Sequence, residues 1–79
     1  MLAAMKNQLR PQVPRNHLKR LRSQAGMSQY DVERVTGISQ SRLSLLERAI
    51  RPMSAADADV LARALAVSAD QLIDRDHAA

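Results

Sequence analysis

The sequence predicts an all-α fold, and three observations carry that prediction. Serines recur with an acid or amide three residues on, as helix starts require: Ser28 with Asp31, Ser54 with Asp57, and Ser68 with Gln71. Between them apolar residues return every three or four positions, the spacing of one helical face. No segment shows the two-residue alternation of a half-buried strand. Caps and periodicity agree on the same boundaries, which is stronger than either signal alone.

The elements follow in order. Residues 1–14 hold Pro11 and Pro14, scattered basic side chains and no sustained period, and read as a flexible basic arm. A domain then runs over 15–74. Asn16 is a good N-cap for a first helix that presents Leu18, Leu21 and Ala25, and Gly26 ends it by taking a left-handed conformation. Ser28 caps a second helix holding Val32 and Val35. Gly37 breaks the pattern, and Ser39 caps a third helix over about 39–48, with Leu43 and Leu46 on its apolar side. A loop around Pro52 leads to Ser54, which opens a fourth helix through Leu61 and Leu65. Ser68-Ala-Asp-Gln71 is a capping box for a short fifth helix with Leu72 and Ile73. Residues 75–79 read as a disordered tail.

Composition narrows the function classes. A chain of 79 residues makes one small domain that buries only about 60–65% of its unfolded surface. The absence of cysteine rules out disulfides and thiolate metal sites and fits a reducing cytoplasm. Apolar runs fall far short of the ~18 residues of a membrane span, and Met1 to Met5 are too short and weakly apolar for a secretory signal. From Met1 to Arg51 ten basic residues face three acids, a net of +7; from Pro52 onward two basics face five aspartates, a net of −3. Such one-sided charge attracts and orients a polyanion. His17 and His77 lie far apart with no cysteine or glycine-rich loop between them. No nucleophile–base pair or metal-ligand spacing emerges, so neither an enzyme nor a cofactor is expected.

Ser28 to Glu47 is the most informative stretch. Two short helices joined at Gly37-Ile38-Ser39 form the outline of a helix-turn-helix reader of duplex DNA. The matching residues extend well beyond it: Leu18-Lys-Arg-Leu-Arg22, Met27-Ser-Gln29, Thr36-Gly-Ile-Ser39, Leu46-Glu-Arg48, Ser54, Leu61-Ala-Arg-Ala-Leu65 and Val67-Ser-Ala-Asp-Gln-Leu72. On these the chain from Asn16 to Ile73 resembles the phage repressor and Cro family of helix-turn-helix proteins, also called the xenobiotic-response-element family. The resemblance implies a compact five-helix repressor-like domain that places its third helix in the major groove, usually as a two-fold dimer.

Residue roles follow from groove chemistry. With Leu43 and Leu46 facing inward, Gln40, Ser41, Ser44 and Leu45 are the candidate base contacts. Gln40 suits adenine, the serines suit several bases, and Leu45 suits only a thymine methyl. Gln29 stands where helix 2 has free N–H groups, and the resemblance implies that it anchors a phosphate, with Ser28 sharing the role where its hydroxyl is not spent as a cap. Arg42, Arg48, Arg51, Lys19 and Arg20 are further phosphate candidates, with Lys6, Arg10 and Arg15 nearby. Glu47 follows core Leu46 in a basic region, and Arg22 follows core Leu21. An unpaired carboxylate there is costly, which predicts an Arg22–Glu47 ion pair tying helix 1 to helix 3; the resemblance implies the same pair.

Three positions depart from the family pattern. Glu33 replaces a small residue, which predicts altered packing of helices 2 and 3 and allows a contact with Arg42. Ala49 replaces the usual glycine, which predicts that the chain leaves helix 3 without a left-handed residue. Leu45 stands at a position that is often polar. The resulting reading is a repressor-type transcriptional regulator acting as a homodimer on a near-palindromic operator, with half-sites about 34 Å apart. The short chain has almost no room for an extra ligand or polymerase-contacting domain, an expectation that favours repression over activation. The alternative is an antitoxin or adaptor-type protein-interaction module on the same domain, with a partner such as a toxin or antirepressor. The acidic surfaces of helices 4 and 5 and apolar Val60, Leu65, Val67 and Ile73 are open to either a homodimer or such a partner. Single-stranded RNA is disfavoured, because base stacking needs aromatics and Tyr30 is the only one.

Overall fold

The computed structural model describes residue 13 and residues 15–73. The expected arm, apart from Val13, and the expected tail lie outside the described residues, as do Lys6, Arg10 and His77. Five helices make up the domain: α1 (Leu18–Gln24), α2 (Gln29–Thr36), α3 (Gln40–Glu47), α4 (Ala55–Leu65) and α5 (Ala69–Leu72). Among the described residues there is no strand beyond one isolated antiparallel bridge between Asn16 and Ile73, and no helix long and apolar enough to cross a membrane.

Four of the five helices start at the serine caps that the sequence predicts. Ser28, Ser39, Ser54 and Ser68 adopt extended backbone and accept a hydrogen bond from the amide three residues on. In α2 and α5 the bond is reciprocated. The Asp31 carboxylate accepts from the Ser28 amide at 2.8 Å, and the Gln71 amide oxygen accepts from the Ser68 amide at 2.8 Å. The Ser28 backbone bond, its hydroxyl and neighbouring Arg34 hold the Asp31 carboxyl below its ordinary pKa. The sign is that of a lowered acid: this stabilisation exists above the ordinary aspartate pKa and is lost as pH falls through the lowered one. The start of α1 is built differently. His17 stands at the cap position without a side-chain bond, while Asn16 Oδ1 accepts from the Leu18 amide at 3.1 Å and Asn16 Nδ2 donates to the Leu46 carbonyl at 2.7 Å. Asn16 thus ties the entry of α1 to the last turn of α3.

The core is formed by Leu18 and Leu21 of α1, Val32 of α2, Ile38 in the turn, Leu43 and Leu46 of α3, Ala58, Leu61, Ala62 and Leu65 of α4, and Leu72 of α5. α2 packs on both α3 and α4, α1 on α3, and α4 on α5. One expectation about apolar residues changes here, at Leu65. Read as a surface contact, it is buried, because α5 folds back over the end of α4. Val35 is 63% exposed, because no described element covers its side of α2. Val60 stays exposed, and Val67 and Ile73 are half-buried.

Helix ends supply a further correction. α1, α3 and α4 each close with the double bond of a Schellman motif. Met27 and Gly26 bond back to Arg22 and Ser23, Ile50 and Ala49 to Leu45 and Leu46, and Val67 and Ala66 to Ala62 and Arg63. The left-handed residue is glycine only in α1. Ala49 (φ 56°) and Ala66 (φ 58°) take that conformation as alanines. The missing glycine therefore did not change the exit of α3. Closure of the last carbonyls and burial of the flanking leucines outweigh the crowding of one Cβ, about 1–2 kcal/mol.

Relief of that crowding less the entropy of a freer unfolded chain predicts that Ala49→Gly and Ala66→Gly each raise stability by about 0.5–1 kcal/mol. The change should appear as a higher urea midpoint at unchanged slope. Below about pH 4 the Asp31→Asn chain should lose stability less steeply than the parent, since the carboxylate that titrates there is gone. Circular dichroism across an acid titration measures it.

Candidate nucleic-acid interface

The turn from α2 to α3 is set by local bonds. Gly37 takes φ 81°, a conformation that a residue with a Cβ resists. The Thr36 hydroxyl donates to the Val32 carbonyl at 2.7 Å and accepts from the Ile38 amide at 3.1 Å. Ile38 is thereby turned into the core, Ser39 is left to cap α3, and the first residues of α2 and α3 stand side by side.

A chain of side-chain bonds runs beneath that pair. Gln40 Nε2 donates to Gln29 Oε1 at 2.7 Å, and Gln29 Nε2 donates to Glu47 Oε1 at 2.9 Å. Arg22 grips the same carboxylate with two arms, Nε to Oε2 at 2.6 Å and Nη2 to Oε1 at 3.2 Å, and its Nη1 donates to the Met27 carbonyl at 2.8 Å. The Arg22 and Glu47 side chains are only 12% and 4% exposed. Hydrogen bonding to Glu47 raises the Arg22 pKa above its ordinary value, against the opposing effect of burial. Arg22 of α1, Gln29 of α2 and Gln40 and Glu47 of α3 thus form one network. The Arg22–Glu47 pair is the one that the sequence predicts. The link between the two glutamines is not legible there, since their eleven-residue separation carries no signal until the turn brings them together.

The remaining candidates surround this network. Ser41 is exposed on α3, while Ser44 and Leu45 are half-buried. Lys19 and Arg20 lie exposed on α1, and Arg48 and Arg51 lie exposed just after α3. Arg48 Nε reaches the Ser44 carbonyl at 3.4 Å, and the Arg51 amide bonds to the Leu45 carbonyl. Ser28 Oγ is engaged as a cap with the Asp31 amide at 3.0 Å. Arg42 pairs with Asp57 of α4, Nη2 to Oδ2 at 2.7 Å, and not with Glu33. In the sequence Asp57 reads only as part of a helix start, and nothing in the spacing of the two residues announces the pair.

A helix, a tight turn and a second helix at the surface, flanked by exposed cations, define the class: a helix-turn-helix DNA-binding regulator. A family model described as a helix-turn-helix domain matches residues 15–75. That is most of the chain, and the protein belongs to this family. Neither a curated protein nor a solved structure gives a match.

Removing either partner of the Arg22–Glu47 pair strands a buried charge, so Arg22→Ala and Glu47→Ala should each cost about 3 kcal/mol. A double-mutant cycle by urea denaturation should return a coupling of about 1–3 kcal/mol, and additive effects would refute the structural role given to the pair.

Proposed function

We propose that the protein is a repressor-type transcriptional regulator that binds duplex DNA as a two-fold homodimer, with α3 in the major groove. The observation that carries this reading is the buttressed glutamine at the start of α3. An amide nitrogen has two N–H groups. Gln40 spends one on Gln29, which leaves one N–H and its carbonyl oxygen. Adenine presents N7 as acceptor and N6–H as donor in the major groove, and the remaining N–H and carbonyl oxygen of Gln40 are the complementary pair. An α-helix about 10–12 Å across fits a groove about 12 Å wide.

The other roles follow from position. Ser41 and Ser44 meet neighbouring base edges, and Leu45 meets a thymine methyl. Lys19, Arg20, Arg48 and Arg51, with Gln29 at the start of α2, hold the phosphates on either side, while Ser28, engaged in its capping box, is left out of that set. The protein acts by binding and not by catalysis, and a cytoplasmic setting suits a chain without cysteine. Two copies place their α3 helices one helical turn apart, about 34 Å, on a near-palindromic site.

Selection of bound sequences from a random duplex pool is the direct test, and it should return a two-fold symmetric motif. Gln40→Ala should relax preference at one base position per half-site by about 1–3 kcal/mol. Gln29→Ala should relax the same position by less. Intact specificity after Gln40→Ala would mean that α3 is docked differently. Affinity should also fall with salt, each phosphate contact adding about 0.9 to the slope.

A further inference from the structure

α3 carries two charged residues, Arg42 and Glu47, and each is matched by a residue of another helix. Glu47 is met by Arg22. Arg42, near the start of α3, is met by Asp57 of α4 at 2.7 Å. The Asp57 side chain is 9% exposed and that of Arg42 is 49% exposed. The acid is therefore the enclosed partner and the arginine the accessible one.

The sequence makes Asp57 unusual. Ser28-x-x-Asp31 and Ser54-x-x-Asp57 are the same capping pattern. In the first, the carboxylate returns to the serine amide and closes the box. In the second, the Ser54 hydroxyl still accepts from the Asp57 amide at 3.0 Å, but the carboxylate turns away to Arg42. A bond available within α4 gives way to one that crosses to α3. Arg42 cannot leave for a phosphate without stranding a buried carboxylate, the costliest way to break such a pair.

We infer that Asp57 is a specificity-determining residue: by engaging the Arg42 guanidinium at 2.7 Å it withholds one phosphate-seeking cation of the reading helix from the DNA backbone. This rests on the duplex-binding reading above. Phosphate contacts carry no sequence information, whereas base contacts do. With both of its charges matched, α3 offers the groove only neutral groups, Gln40, Ser41, Ser44 and Leu45. Attraction to DNA of any sequence is left to the cations on its flanks. Asp57 lowers affinity for every duplex through this one charge, and so widens the margin of the chosen site over the rest.

The test is fluorescence anisotropy of the full chain on a labelled mixed-sequence duplex between about 50 and 200 mM salt. Asp57→Asn frees the Arg42 charge at nearly constant shape. It should steepen the salt slope by about 0.9 and tighten mixed-sequence binding roughly five- to tenfold near 0.1 M salt. The ratio of selected-site to mixed-sequence affinity should fall with it. The double variant Arg42→Gln with Asp57→Asn, neutral at both positions, should keep the parent slope, and it decides the matter alone if the single variant fails to fold. An unchanged slope in Asp57→Asn overturns the inference. So does a double variant whose slope is shallower by about 0.9, since Arg42 would then already sit on a phosphate. A parent chain without salt-dependent duplex binding would instead sink the reading of function on which the inference stands.

Discussion

One buried carboxylate holds the working parts of this domain in place. Glu47 is almost wholly enclosed, at the last residue of α3. A charge taken out of water is tolerated only when opposite charge and hydrogen bonds replace the lost hydration. Arg22 supplies the charge and two bonds, and Gln29 supplies a third. These donors come from α1 and α2, so satisfying one acid fixes three helices relative to one another. Gln40 then leans on Gln29, and the orientation of a candidate base-reading amide traces back to the same carboxylate.

Such a pair contributes less to net stability than its bonds suggest, because both partners paid to leave water, and apolar replacements often serve as well. Its value lies in direction. Leucines pack acceptably over a range of angles, whereas a two-armed guanidinium–carboxylate contact accepts few. Leu43 and Leu46 press α3 against the core, and the polar network beside them sets its roll. On the opposite side Asp57 reaches α3 through Arg42, and at its last turn Asn16 holds the Leu46 carbonyl. A helix of eight residues is too short to keep its own orientation, and these three ties supply it.

The sequence was sufficient for the elements and for most of the core. Four serine caps, the breaks at Gly26 and Gly37 and the leucine spacing are local signals. They act within one turn of chain, where no other part of the molecule needs to be known. The pairing of Arg22 with Glu47 was also within reach, since an acid beside a core leucine in a basic segment requires a partner. The burial of Leu65 was not: whether an apolar residue is covered depends on which helix lies over it. At Ala49 the sequence argued for the wrong exit, because the price of a left-handed alanine is visible in the chain while the bonds that outweigh it are not.

Tertiary structure alone decided how polar side chains spend their bonds. Asp31 and Asp57 occupy the same place in the same motif, yet one closes its box and the other crosses to Arg42. Gln29 and Gln40 meet only because the turn at Gly37 folds α3 back beside α2. By itself the sequence determined an all-α helix-turn-helix domain with its cations gathered toward one end. The assembled fold determined which of those charges are matched within the protein and which stay open to solvent. The physical reason is range: capping and periodicity act over three or four residues, whereas a hydrogen bond is open to whichever partner packing delivers within three ångströms.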